Sequence, residues 1–355
     1  MARRPPASDE RLEALLDRID DALQEDQPEQ ALALAEEALA RAPRSVDALH
    51  YRAAALTCLG RPDDAYEAYR AALKAAPDDL EVLRGAIDLL VVELGQEKED
   101  LEDALELAQR ALKLARRQGE EALLGELLLL SGMALGKLGH ARRALELLDE
   151  AAALAPGDPE IGLEQGIALF QLLRLSEAEQ ALQAVVEREP REAWAHHYLG
   201  LVAERRGDPD AARRHFREAR RRSPEDFPAP VELAAQDFDR AVQDALERLP
   251  ERVRHYLTNL TIDVEQLPSD EDLTGGDPPL APDIVGLFAG PALTDRKTDD
   301  PWSHFPSAIT LYQKNLQRSC RSREELIEQI GITLVHEVGH FLGLSEDDLY
   351  ERGLD

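Results

Sequence analysis

Cysteine is nearly absent. Cys58 and Cys320 are the only two in 355 residues and lie far apart, so neither a disulfide framework nor a cysteine-based zinc ribbon can form, and a reducing cytoplasm is the expected compartment. Long apolar runs are missing as well. The richest, Leu123 to Leu130, is interrupted by Gly125 and Glu126, and the opening MARRPPASDE has two arginines with no apolar stretch behind them; neither a membrane span nor a signal peptide is expected. Basic residues are outnumbered, 41 Lys and Arg against 71 Asp and Glu. The resulting charge of −30 argues against general binding to nucleic acid or an anionic membrane, and any charged partner is expected to be basic. The chain is nonetheless 44% hydrophobic, enough to bury a core, and long enough for two or three domains.

The first 225 residues are rich in Ala, Leu, Glu and Arg at helical spacing, and they repeat. Pro43 and Pro77, then Pro156, Pro190 and Pro224, recur in steps of 34 residues within each group. Ala31, Ala65, Ala104, Ala144, Ala178 and Ala212 follow at spacings of 34, 39, 40, 34 and 34. The two longer steps flank the third unit, where GQEKEDLED is expected to lengthen the turn between two helices. Gly132, Gly166 and Gly200 occupy a close-packing position, Gly60, Gly139 and Gly207 the end of a helix, and Tyr69 and Phe216 the helix that follows. On these landmarks residues 10–225 resemble a tetratricopeptide array of six helical hairpins, with residues 1–9 expected to lack order.

That resemblance implies an all-α superhelix whose groove binds a protein or peptide. Members that grip chaperone tails use Asn and Lys there. This array has no Asn and only Lys74, Lys98, Lys113 and Lys137, which excludes such a clamp. Eight arginines between Arg205 and Arg222 run against the acidic average; they read as a solvated face or as a surface docked on an acidic C-terminal domain.

Residues 226–355 differ in composition and read as a second, small α+β domain. A helix is expected from about Val231 to Leu249, strands in LTNLTIDVEQ, IVGLFAG and SAITLYQ, and an amphipathic helix from Arg323 to about Gly343. The last helix carries HEVGH. His336 and His340, four residues apart, project from one face and can ligate one metal ion, while Glu337 beside them has the place of a general base toward an attacking water. In HEVGHFLGLSE, Gly343 can end the helix in a left-handed conformation and bring Glu346 within reach as third ligand. Asp347, Asp348 and Glu351 are alternatives for that role, and Ser345 followed by acids also reads as the cap of a final short helix.

The segment from Phe238 to Leu354 resembles the bacterial minimal zincins, on the pieces FDRAVQDALERLP, LTIDVEQLP, IVGLFAGPAL, PSAITLYQKNL and TLVHEVGHFLGLSEDDL. The resemblance implies one zinc ion held by His336, His340 and Glu346, with Glu337 as base. It also implies a small sheet packed on the zinc helix, with LTIDVEQ or ITLYQ as the edge strand that holds an extended substrate. No Met follows Glu346, which sets the chain apart from the larger metzincins. Tyr312, Tyr350 and His304 are candidate donors to the oxyanion, His304 lying in the loop DRKTDDPWSHFP. The expectation is a cytoplasmic zinc metallopeptidase whose repeats recruit a protein substrate or regulator. The alternative is a non-catalytic interaction scaffold with a metal-stabilised zincin fold.

Overall fold

Proline and glycine punctuate the helices. Pro28, Pro62 and Pro209 stand in the first turn of their helices, where a missing N–H costs nothing, and Ser45 and Asp79 cap others by accepting from the N–H groups of Ala48 and Val82. The computed structural model describes residues 7–95, 97–257, 260–275, 279–290, 307–345, 348–349 and 352. By contact the chain divides into two compact units, Met1–Leu169 with Glu177–Glu189, and Phe170–Ser176 with Pro190–Asp355.

Among the described residues the repeats form six helical hairpins. They are α1 (Ala7–Gln24) with α2 (Pro28–Arg41), α3 (Val46–Cys58) with α4 (Pro62–Ala75), α5 (Leu80–Asp88) with α6 (Lys98–Gln118), α7 (Glu121–Lys137) with α8 (Ala141–Leu154), α9 (Pro159–Gln171) with α10 (Leu175–Arg188), and α11 (Ala193–Arg205) with α12 (Pro209–Arg222). The six periodic alanines are buried, none more than 3% exposed. The reason small residues recur is steric: a Cβ on Gly166 would lie 2.5 Å from Leu182 of the paired helix, and one on Gly132 would lie 2.7 Å from Leu148.

The third hairpin departs from the expected lengthened turn. Leu89–Glu93 form a π-helical turn that continues α5, and α6 runs 21 residues where α4, α8 and α10 run 14. Most of the added length is therefore helix, because KEDLED is composed largely of good helix formers. Lys137 Nζ donates to the Val91 carbonyl inside the π-helical turn at 2.7 Å.

In the second unit the chain after α12 stays extended. Val231 N–H donates to the Gln317 carbonyl at 3.1 Å, and the Gln313 and Gln317 amides donate to the Leu233 carbonyl at 3.0 and 3.2 Å. The helix expected from Val231 accordingly begins at Ala235, as α13 (Ala235–Arg248), followed by α14 (Glu251–Leu257). Then come β1 (Thr261–Glu265), α15 (Asp270–Thr274), β2 (Gly286–Ala289), β3 (Ala308–Tyr312), α16 (Gln313–Ser319) and α17 (Arg323–Phe341).

Among the described residues the sheet has the order β1-β3-β2, with β1 parallel and β2 antiparallel to β3. This corrects one expectation. ITLY is the central strand, its Ile309 and Leu311 fully buried, so of the two candidate edges only LTIDVEQ (β1) lies at an edge; β2 is the other. Phe238, Ala241, Val242 and Ala245 of α13 share a core with Leu326, Ile330, Leu334 and Val338 of α17 and with Ile309 and Leu311 of that strand. Each large apolar side chain so buried contributes about 1.5–3 kcal/mol before entropy is counted.

The arginine-rich segment serves two purposes. Arg205, with a side chain 8% exposed, pairs with Asp270 at 2.5 Å and donates to the Pro268 carbonyl, while its neighbour Glu204 holds Lys314 at 3.0 Å and Arg318 at 2.5 Å. Arg213 and Arg221 instead pair with Asp210 and Glu218 on the exposed face of their own helix. No helix among the described residues is long and apolar enough to cross a membrane.

Candidate metal centre

Helix α17 is fixed at both ends. Ser322 caps its start by accepting from Glu325 N–H at 3.1 Å, and the Glu325 carboxylate accepts from Arg321 N–H at 2.8 Å. At the other end Gly343 takes φ +86°, Gly343 N–H donates to the His340 carbonyl at 2.9 Å and Leu344 N–H to the Gly339 carbonyl at 3.0 Å. These bonds close the helix in a Schellman-type cap, which only a residue tolerant of the left-handed region forms cheaply.

The cap also acts on a side chain. It turns the Leu344 carbonyl back to within 3.2 Å of His340 Nδ1, so the ring donates its Nδ1–H there and presents Nε2 with a lone pair. His340 Nε2 lies 3.1 Å from His336 Nε2, with the two rings steeply inclined at 80°. Two imidazole nitrogens on one tetrahedral zinc stand about 3.3 Å apart. The pair thus fits a zinc ion in donor type and spacing, and His340 also in tautomer.

Glu337 is 6% exposed, one position along the helix. Strand β2 passes directly over it: a Cβ on Gly286 would fall 2.5 Å from Thr333 Cγ2 and 3.1 Å from Glu337 Oε1. Only a glycine admits this approach, and it puts a sheet edge against the carboxylate. Sequence reasoning passed over Gly286, although a glycine inside a strand pattern is a known sign of close backbone approach. The Leu344 carbonyl was likewise missed, and the signal for it was Gly343.

Tyr312 ends β3, fully buried, and among the described residues its hydroxyl has no hydrogen-bond partner. Burial first, then the charge of the nearby Asp272 carboxylate, hold its pKa well above the usual tyrosine range. Asp272 itself is engaged by the N–H and hydroxyl of Ser269 at 2.9 and 2.7 Å.

The expected third ligand, Glu346, lies outside the described residues, as do Asp347, Glu351, Tyr350 and His304. Asp348 is described, and its carboxylate accepts from the N–H and hydroxyl of Ser345 at 2.9 and 2.6 Å. Those bonds hold it below the usual carboxylate range, the pattern of a helix cap. Among the described residues no group of three or more His, Cys, Asp or Glu could hold a metal ion.

Comparison with known proteins bears on both parts. Residues 257–354 match the zincin-like metallopeptidase family, and residues 46–89, 129–184 and 163–227 match tetratricopeptide repeats. Among solved structures, PilF of Pseudomonas aeruginosa is similar at 21% identity over 66% of this chain and 99% of that one, with a TM-score of 0.52. PilW, a widely conserved type IV pilus biogenesis factor, is similar at 20% identity over 60% and 94%, with a TM-score of 0.53. A tetratricopeptide repeat protein of Parabacteroides merdae is similar at 17% identity over 69% and 96%, with a TM-score of 0.50. At these identities the likeness is one of fold.

Proposed function

We propose that this chain, in which tetratricopeptide repeats are joined to a zincin-like metallopeptidase domain, hydrolyses peptide bonds in proteins that the repeats recruit. The working division is repeats over residues 10–225 and catalysis over 226–355, in a reducing cytoplasm. The observation that carries the reading is the approach of His336 Nε2 and His340 Nε2 to 3.1 Å on the helix that also buries Glu337. His336, His340 and Glu346 are the residues that would hold one zinc ion. Zinc bound there supplies a Lewis acid that polarises the scissile carbonyl and lowers the pKa of water.

The remaining work falls to the chain. Glu337 takes the proton of the attacking water and later delivers it to the leaving amine, a role suited to a carboxylate shielded from bulk solvent. The edge of β2 supports an extended substrate by main-chain pairing, and Gly286 brings that edge close to the base. Tyr312, kept a phenol by its burial, has a hydroxyl proton to donate to the oxyanion.

The test combines metal content with cleavage of a peptide library by the full chain. About one zinc per chain, lost in His336→Ala, together with cleavage abolished in a zinc-retaining Glu337→Gln variant, is the expected result. A zinc-loaded, folded chain that leaves every peptide intact would overturn the catalytic reading and favour a scaffold stabilised by metal.

A further inference from the structure

The second unit contains a cavity of about 790 Å³ that the reading above does not use. Its walls are α11 and α12 on one side and the extended segment 226–233 with α16 on the other. Trp194, Tyr198 and Leu201 enter it from one face of α11, at the i, i+4, i+7 spacing; Arg213, Arg217 and Arg220 enter from one face of α12 at the same spacing. Trp194 remains 43% exposed although its ring lies edge-on to Phe227 at 4.8 Å. Arg220 is in the opposite condition: its Nε is buried and has no hydrogen-bond partner among the described residues.

Four acids line the cavity, Glu204, Asp226, Glu232 and Asp283, and among the described residues none of them is paired with Arg217 or Arg220. Glu204 is already shared by Lys314 and Arg318, the Asp226 carboxylate accepts from the Ser223 hydroxyl, and burial raises the pKa of Asp283, disfavouring its charged form. Arg213 is already paired with Asp210, so this wall combines an accessible indole with the guanidinium groups of Arg217 and Arg220. Trp, Tyr and Arg are also the residues that most often anchor protein interfaces, because they bury area while placing directional donors. The net charge of −30 repels a long polyanion, which leaves a short acidic segment as the matching occupant.

We propose that this cavity is a docking site for an acidic segment of a partner protein, with an aromatic or branched aliphatic side chain packed against Trp194 and Phe227 and carboxylates paired with Arg217 and Arg220. The proposal rests on the protein-recruiting reading of the repeats and not on catalysis. It inverts the expectation from net charge that charged partners are basic.

A display library of random ten-residue peptides, panned against the full chain, tests it. Recovered peptides are expected to be enriched in Asp and Glu next to Phe, Trp or Leu. Their retention is expected to fall at least tenfold on the Arg217→Gln/Arg220→Gln double variant and on Trp194→Ala, with unchanged melting temperature in the former. Trp194→Phe, which keeps a ring, should retain most of the binding. Recovery of acid-free peptides only, recovery of none, or equal retention of acidic peptides by the wild type and the arginine variant would each overturn the site. In the last case protein recruitment stands and this location falls, whereas an active Glu337→Gln variant would leave the docking result untouched.

Discussion

In the hairpins of the first unit small residues pack against a helix next along the chain, Gly132 of α7 against Leu148 of α8 and Gly85 of α5 against Tyr69 of α4. In the α+β fold, Thr261 pairs with Ala308 and Phe238 shares a core with Leu334, so the partners of a residue lie far along the chain. The difference governs what damage does. A lesion in a repeat disturbs its neighbours in the stack, while one in the α+β core is felt by every element around the candidate metal site. The buried ionisable groups also contrast. Glu164 on α9 is pushed up to about 7 by burial and the nearby Glu160, and His197 on α11 is pushed down to about 3 by burial and Arg318.

The largest effect should come from the base. Glu337→Gln is expected to lower kcat/KM about 10³-fold, roughly 4 kcal/mol in the barrier, with zinc retained, as steady-state kinetics on a cleaved peptide would measure. Next, Leu334→Ala should cost about 2–5 kcal/mol and lower zinc occupancy with it, read by denaturant unfolding and metal analysis. Leu128→Ala, equally buried in α7, should leave zinc occupancy unchanged. If both variants lose zinc alike, the contrast between the two regions is broken.

The pH dependences should run in opposite directions. Glu164 has a folded pKa above its unfolded one, so its contribution is complete below about pH 4.5 and lost as pH rises through 7, by at most about 3 kcal/mol. His197 has a folded pKa below its unfolded one, so stability is full above about pH 6.5 and falls on acidification, by about 2 kcal/mol at pH 5. Unfolding free energies of Glu164→Gln and His197→Phe between pH 5 and 8 should each lose one of these slopes. The smallest effect is Gly343→Ala. A left-handed alanine costs about 1–2 kcal/mol, and loosening the Leu344 carbonyl should weaken zinc binding about tenfold in a competition titration.

The repeats were legible because their contacts recur at a fixed offset: in the last three hairpins Gly132, Gly166 and Gly200 each meet the side chain sixteen residues later, Leu148, Leu182 and Phe216. HEVGH was legible because helical geometry alone puts His336 and His340 on one face. The order of the sheet was not, since nothing local to ITLY distinguishes a central strand from an edge, and its place follows from what packs above and below. Two further features lay beyond local signals. The added residues of the third hairpin are wound into helix, and the chain just after FPAP stays extended because Val231 and Leu233 are held by Gln317 and Gln313, at least 80 residues later.

The turn at Gly343 ties two rates together. The amide of Leu344 is protected by the Gly339 carbonyl, and the carbonyl of the same residue steadies His340, so one opening event exposes the amide to deuterium and frees the imidazole to rotate. If His340 holds zinc as proposed, adding zinc is expected to slow hydrogen exchange at the Leu344 amide, a group that would never touch the ion.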